Sequence, residues 1–267
     1  MIPKIFHQIW VGNDMPPIKK GWVDSNRKKL EQEGWTFMLW NNDMLNNQNF
    51  PLTWKYIQKA KRLKKPFAMV TDLMRYEIMY NHGGVYMDVN IELQRKSLTG
   101  MLRRAHKANK TLIVAHEDKD AIPLHARLET KPGVVRKYIS NGFFAATQKH
   151  PVLKMAVSSS RLDRINWRSK MINQETGPFY WRESMLPHHL KNIMALKTEE
   201  IYPMSLYEQF GHGPLGESAD RCIDKRPGKT KVPIVLQGQK RFLKLPCKRY
   251  TGSYSVDHFD FGGTWIK

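Results

Sequence analysis

The sequence lacks three things that would each place it in a special class. Its 267 residues contain no apolar run near the roughly 18 residues that a membrane-spanning helix requires. Its two cysteines, Cys222 and Cys247, are too few for a disulfide framework and lack CxxC spacing, so we expect free thiols rather than one late disulfide. Acidic residues are scarce, with 24 Asp+Glu against 44 Lys+Arg. At 41% hydrophobic and 11% aromatic, the chain nevertheless has the composition of an ordinary globular protein.

The formal net charge of +20 calls for an anionic partner. Nucleic acid, an anionic membrane surface or a phosphate-bearing substrate would each supply one. The first ten residues lack the basic start, apolar run and cleavage site of a secretory signal. We therefore expect a cytoplasmic protein that is at most peripheral to a membrane.

No internal repeat, low-complexity tract or linker divides the chain, so the simplest organisation is one domain over 1–267. Apolar periodicity predicts helices over 18–33 and 67–81, the second ending at a Gly-Gly pair. Alternation predicts a strand over 85–93. Further predicted strands cover 4–10, 35–40, 112–115 and 142–146, with helices near 151–164 and 179–190. This order favours an α/β fold with a mixed, mostly parallel sheet flanked by helices.

Three oxygen-bearing side chains alternate along the predicted strand after the Gly-Gly pair. Asp88, Asn90 and Glu92 would share one face of that strand. Hard oxygen ligands at this spacing suit Mg²⁺ or Mn²⁺ bridging to phosphates. The alternative is the polar outer face of an edge strand.

The helix before this strand carries a charged pair on one face. Asp72 and Arg75 are three residues apart, and the helix delivers both toward the Gly-Gly pair. A carboxylate can accept hydrogen bonds from sugar hydroxyls, and a guanidinium can pair with phosphate. The alternative is an ordinary surface ion pair.

The segments 3–12, 66–76 and 83–90, in this order and spacing, resemble the retaining sugar transferases of glycosyltransferase family 32. That family is similar to the yeast Golgi initiating mannosyltransferases and, more distantly, to the glucosylating domains of large clostridial toxins. Segments 141–151, 176–178 and 258–265 are similar to its later landmarks. The resemblance implies a GT-A, Rossmann-like fold with a nucleotide-sugar-binding half over about 1–120 and an acceptor and closing half over about 121–267.

The resemblance also implies which residues contact the donor. Trp10 falls where the family stacks the nucleobase, although an indole at a strand end can equally be core. Asp72 and Arg75 fall on the donor-sugar contacts. Gly84 and Trp265 fall in segments that line the nucleotide-sugar site.

For the metal, the resemblance implies Asp88 as the first acidic position of the DxD motif and Asn90 as its last. Here a neutral amide replaces the family's usual carboxylate, so the affinity for Mn²⁺ or Mg²⁺ should fall unless Glu92 restores the charge. His258 matches a position where related enzymes add a metal ligand, against the alternative of a surface histidine.

The predicted function is transfer of a hexose, with retention, from a UDP- or GDP-linked donor to a hydroxyl of a glycan, glycolipid or protein. The resemblance nominates no nucleophile and places Glu175 and 176–178 near the acceptor. The lack of a leader next to Golgi relatives predicts a bacterial or viral enzyme. The competing hypothesis is a basic nucleic-acid-binding protein on a degenerate transferase fold, which the absence of RRM, KH, zinc-finger and P-loop patterns disfavours.

Overall fold

The computed structural model describes residues 1–94, 96–116, 139–185, 192–202, 232–236, 239–243 and 255–257. The strands of this part are β1 Ile5–Ile9, β2 Thr36–Trp40, β3 Gly84–Met87, β4 Ile91–Leu93, β5 Leu112–His116, β6 Ile139–Ala146, β7 Ile193–Leu196, β8 Val232–Leu236, β9 Gln239–Leu243 and β10 Ser255–Asp257. Its helices are α1 Pro17–Gln32, α2 Trp54–Arg62, α3 Phe67–His82, α4 Leu98–Lys107, α5 Pro151–Ala156, α6 Ser159–Leu162, α7 Ile172–Glu175, α8 Pro178–Met185 and α9 Thr198–Ile201. No helix of the described residues is long and apolar enough to cross a membrane.

Six strands form the main sheet, in the order β2-β1-β3-β6-β5-β7. β1 pairs in parallel with β2 and β3, and β5 in parallel with β7. β6 is antiparallel to both of its neighbours, so it runs against the other five strands. The predicted mixed, mostly parallel sheet flanked by helices is confirmed.

Two hydrophobic clusters cover the two faces of this sheet. Alternation along β6 sends Phe144 into one cluster and Phe143 into the other. In the first cluster Phe144 packs against Trp181 with ring centroids 4.6 Å apart. Both faces are therefore buried, as a mostly parallel sheet requires.

Helix α3 lies in the first cluster and is buried along most of its length. Pro66 precedes its first turn, and Gly83 ends it with a φ of 65°, a conformation that favours glycine. Its buried residues include three charged ones, Asp72, Arg75 and Glu77. Because a buried charge is costly unless it is paired, these three side chains require partners on the helix itself or elsewhere in the fold.

Two sequence predictions are wrong in detail. The strand predicted over 85–93 is broken by a turn at 88–90, and β4 leaves the main sheet to pair with β10. The helix predicted over 151–164 is two short helices, α5 and α6, separated at Val157 and Ser158. The first difference matters for the site, because Asp88, Asn90 and Glu92 no longer lie on one strand.

Candidate active site at the carboxyl edge of the sheet

The candidate site lies where β1 and β3 end and β6 begins. Because β6 is antiparallel to β3, its first residues lie beside the carboxyl end of β3, with Phe143 opposite Met87. The amide of Asp88 donates to the carbonyl of Gly142 at 2.8 Å. This edge of an open α/β sheet is where ligands usually bind.

Asp72 lies beneath this edge with 1% of its surface exposed. One carboxylate oxygen accepts from the Asn141 amide at 2.8 Å, and the other accepts from the Thr176 hydroxyl at 2.9 Å. The Arg75 guanidinium lies 3.3 Å from the first oxygen. Burial raises the pKa of Asp72 to about 6, and the charge of Arg75 opposes that rise. Donors alone surround the carboxylate, which favours its ionised form.

Arg75 also lies on α3, contacts both Asp72 and Asp88, and is itself 1% exposed. Its Nη1 donates to the carbonyl of Asn141 at 2.8 Å and lies 3.2 Å from Asp88 Oδ1. Its guanidinium carbon is 4.8 Å from the centre of the Tyr86 ring. Burial disfavours its charge, but Asp88, Tyr86 and Asp72 together raise the pKa of Arg75 above its ordinary value. Arg75 is therefore a permanent cation.

Asp72, Arg75 and Asp88 form one charged network. Asp88 is the member of this network that reaches solvent, with 18% of its side chain exposed. Its Oδ1 accepts from the Tyr86 hydroxyl at 2.6 Å as well as facing Arg75. Burial raises the pKa of Tyr86 well above its ordinary value, so the phenol keeps its proton. A side chain at position 142 would place its Cβ 2.8 Å from Asp88 Oδ2, so Gly142 leaves room for that oxygen.

The charges of this network do not cancel. Two carboxylates, Asp72 and Asp88, surround one guanidinium, Arg75, which leaves an excess of one negative charge when both acids are ionised. A diphosphate would be repelled by that excess unless a further cation accompanied it.

The described residues fit a cation that is shared with phosphate. They contain no group of three or more His, Cys, Asp or Glu side chains that could enclose a metal. Asp88 and Asn90 offer two oxygen ligands in the turn closed by the bond from the Ile91 amide to the Asp88 carbonyl at 3.0 Å. Mg²⁺ is commonly held by one or two such ligands together with waters and substrate phosphates.

The strand alternation predicted to align Asp88, Asn90 and Glu92 is wrong, because the chain turns between the first two residues and the third lies on β4. Asn90 is partly exposed beside Asp88. The predicted ligand His258 and the predicted donor contact Trp265 lie outside the described residues.

Gly84 has a packing role that its sequence context did not reveal. It has a φ of 102°, and a Cβ there would overlap the carbonyl oxygen of Ile5 on β1. The neighbouring Gly83 carbonyl faces His7 Nε2 at 2.9 Å, while His7 Nδ1 accepts from Trp40 at 3.1 Å. Burial lowers the pKa of His7 to about 4, so it is neutral and donates through Nε2. The Gly-Gly pair is thus held tightly against β1, and its contact with a nucleotide stays a prediction.

Trp10 follows β1 at the same edge and is half-buried. Its indole N–H donates to the Asn13 carbonyl at 2.7 Å, and the Lys19 ammonium lies 4.8 Å from its ring centre. The ring is therefore neither buried in the core nor fully exposed to solvent. Its stacking on a nucleobase stays a prediction.

The segment predicted to lie near the acceptor contacts the network directly. Thr176 follows α7 and donates to Asp72, while Glu175 accepts from the Asn166 amide at 2.8 Å. Sequence reasoning assigned no role to Asn141 or Tyr86. Asn141 was visible as a polar residue just before an apolar run, but its contacts with Asp72, Arg75 and Tyr76 arise from the tertiary fold.

Comparison with known proteins confirms the resemblance that the motifs predicted. Residues 18–115 match the family described as "Glycosyltransferase sugar-binding region containing DXD motif". The match ends at β5 and includes Asp72, Arg75, Asp88 and Asn90.

Similar proteins carry sugar-transferase names. The chain is 29% identical over 175 residues to inositol phosphoceramide mannosyltransferase 1 of Schizosaccharomyces pombe, covering 62% of this chain and 44% of the relative. It is 27% identical to an uncharacterized glycosyltransferase of Acanthamoeba polyphaga mimivirus, covering 78% of this chain and 75% of that protein. Among solved structures it is similar to the PaToxG glycosyltransferase, with 15% identity, 70% and 69% coverage and a TM-score of 0.45. The chain spans less than half the length of the fission yeast relative. The family match and the named relatives show that the chain is similar to glycosyltransferases.

Proposed function

We propose that this chain, whose residues 18–115 match the DXD-containing sugar-binding region of glycosyltransferases, transfers a hexose from a nucleoside-diphosphate sugar to an acceptor hydroxyl. The buried network of Asp72, Arg75 and Asp88, bridged by Asn141 at the carboxyl edge of the sheet, carries this proposal. Apolar residues of similar volume would stabilise the fold at least as well as this buried charged network, so packing alone does not account for it.

Arg75 has the central role in this proposal. The bond between the sugar and the diphosphate breaks as negative charge accumulates on the leaving phosphate, and a cation held at Asp88 would offset that charge. The buried Arg75 fixes the position of Asp88. Arg75 is held by Asp88, by Asp72 and by the Asn141 carbonyl, so it needs little rearrangement at that moment. Asp72 is occupied by three donors and is therefore a positioning residue for Arg75 rather than a nucleophile.

A divalent cation belongs to the proposal as well. Asp88 and Asn90 would hold Mn²⁺ or Mg²⁺, and when bound the ion neutralises charge on the diphosphate. The excess negative charge of the network supports this requirement. With one carboxylate and one amide, binding of the ion should depend strongly on the nucleotide.

A retaining mechanism without a protein nucleophile fits the same geometry. Asp72 is occupied, and Asp88 Oδ1 is bound by Arg75 and Tyr86. In the proposed same-face reaction the departing phosphate takes the proton of the acceptor hydroxyl, so the chain needs only to orient the two substrates.

The names of the relatives suggest which substrates to test. The fission yeast relative is named for transfer of mannose to inositol phosphoceramide, a lipid that carries phosphate. A mannosyl donor, GDP- or UDP-linked, and a phosphate-bearing glycolipid acceptor are therefore the first candidates. A net charge of +20 favours such an anionic acceptor.

A thermal-shift titration tests donor binding. We expect one of UDP or GDP to stabilise the protein with Mn²⁺ by about 2.7 kcal/mol at a hundred times its dissociation constant. Asp88→Asn should abolish this stabilisation, because it weakens the ion's ligand while preserving the side-chain shape. The matched control is Asp163→Asn, a carboxylate outside the network that accepts from Tyr56. Equal stabilisation of all three proteins would contradict the proposed site.

A further inference from the structure

Helix α2 has two unlike sides. Its buried side is formed by Tyr56, Ile57 and Ala60. Its opposite side presents Lys55, Lys59 and Arg62, which are four and three residues apart and so lie on one stripe. The helix is therefore held to the fold by one side and offers the other as a basic surface.

The chain around this helix carries charge of one sign. Between Asp43 and Asp72 the sequence has six basic residues and no acidic one. Lys61, Arg62 and Lys64 are exposed, and none of them forms an ion pair within the described part of the chain. The facing carboxylate is Asp163, which lies 3.4 Å from Lys55 at the first turn of α2. The last turn of α2 and its connection to α3 thus concentrate uncompensated positive charge.

Aromatic rings line the groove along this surface. The groove has a volume of about 740 Å³ and runs past Trp54, Lys59, Arg62 and Trp167. The Lys59 ammonium lies 4.9 Å from the centre of the Trp167 ring, and both tryptophans are half-buried. Half-buried indoles beside lysines are typical of surfaces that meet the headgroup region of a bilayer.

An exposed aliphatic side chain lies among these basic residues. Leu63, the residue that ends α2, is 45% exposed and is flanked by Arg62 and Lys64. Leu52 at the other end of the helix is 43% exposed. The phosphate backbone of a nucleic acid offers an exposed leucine no apolar contact, whereas the interior of a lipid bilayer does.

We propose that the exposed side of α2 and the residues that follow it dock the protein onto an anionic lipid bilayer. This surface, here called the basic face of α2, comprises Lys55, Lys59, Lys61, Arg62 and Lys64 around Leu63. Four to eight cations on an amphipathic helix suffice for attraction to acidic lipids, and the apolar side chain adds a short-range contribution that salt does not screen. The docking does not depend on the proposed transferase reaction. It would nevertheless place the enzyme on the same membrane as a lipid-borne acceptor.

Vesicle flotation with the full chain tests this surface. We expect the protein to float with vesicles of phosphatidylcholine and phosphatidylserine, and to stay behind with phosphatidylcholine alone. The triple variant Lys61→Glu, Arg62→Glu and Lys64→Glu should lower the partition coefficient by about a hundredfold. Leu63→Ser should weaken the binding that persists at high salt while leaving low-salt binding within a few-fold of the native value.

The matched control reverses three exposed cations on other faces, Lys28, Arg103 and Lys107, each to Glu. It changes the net charge equally, so it should retain vesicle binding if the basic face of α2 is the docking surface. An equal loss in the control would overturn the proposal and assign the attraction to net charge. Binding to an RNA hairpin but not to acidic vesicles would overturn it in favour of nucleic acid. Circular dichroism and UDP or GDP binding of each variant distinguish misfolding and failure of the donor site from loss of docking.

Discussion

The hydroxyl of Thr176 offers a sharp test of the buried network. Thr176 is fully buried and donates to Asp72 Oδ2 at 2.9 Å. Thr176→Val keeps the shape of the side chain and removes only this donor. Asp72 then retains Asn141 and Arg75 as partners, and its second oxygen is left with no replacement donor in a dry environment.

The expected magnitude follows from the charge of the acceptor. A hydrogen bond to an ionised group contributes about 1.5–3 kcal/mol, so Thr176→Val should lower the free energy of unfolding by about that amount at neutral pH. Burial raises the pKa of Asp72 to about 6, so the ionised form is lost as pH falls through that value. The bond from Thr176 favours the ionised form. Its removal should therefore raise the pKa of Asp72 further and move the acid limb of the activity profile upward by about one pH unit.

Urea denaturation and a pH–rate profile measure these two effects separately. The matched control is Thr53→Val, because Thr53 is also fully buried and donates to a buried carboxylate of α3, Glu77, at 2.5 Å. Both variants should be destabilised, but only Thr176→Val should shift the acid limb. An unshifted limb in Thr176→Val, or an equal shift in Thr53→Val, would refute the assignment of that limb to Asp72.

Substitutions at Asn90 and Gly84 test the turn and the Gly-Gly pair. Asn90→Asp adds a carboxylate beside Asp88, so the Mn²⁺ concentration giving half-maximal nucleotide binding should fall, whereas Asn90→Ala should raise it; identical titrations would contradict a role for Asn90. Gly84→Ala should lower the free energy of unfolding by about 2 kcal/mol or more, since its Cβ would overlap the Ile5 carbonyl at a φ of 102°. Gly21→Ala, in α1 with open space around it, should instead be stabilising by up to about 1 kcal/mol; similar urea midpoints for the two variants would contradict the packing account.

Local patterns predicted the elements whose signals are uninterrupted. Helix α3 was predicted almost to the residue because its apolar period runs from Phe67 to a Gly-Gly stop. Helix α2 was missed because lysines dominate its sequence and hide the spacing of Tyr56, Ile57 and Ala60. The alternation over 85–93 continued through a turn, because the pairing that draws β4 away comes from β10, which lies far along the chain.

The sequence predicted which charged residues belong to the candidate site, but not the contacts that complete it. Asp72, Arg75 and Asp88 were named from spacing and resemblance, and the structure brings all three together. Asn141 and Thr176, which complete the shell of Asp72, are 69 and 104 residues away from it in the sequence. Periodicity and spacing describe neighbours along the chain, so they cannot indicate partners that only the tertiary fold brings together.

Release of nucleoside diphosphate from a panel of UDP- and GDP-linked hexoses tests the central claim most directly. The account predicts Mn²⁺-dependent release from one donor by the native protein, increased by a glycolipid acceptor and lost in Asp88→Asn. Release at the same rate by Asp88→Asn, in a preparation with the native thermal midpoint, would contradict the claim that the network at the carboxyl edge of the sheet is the active site.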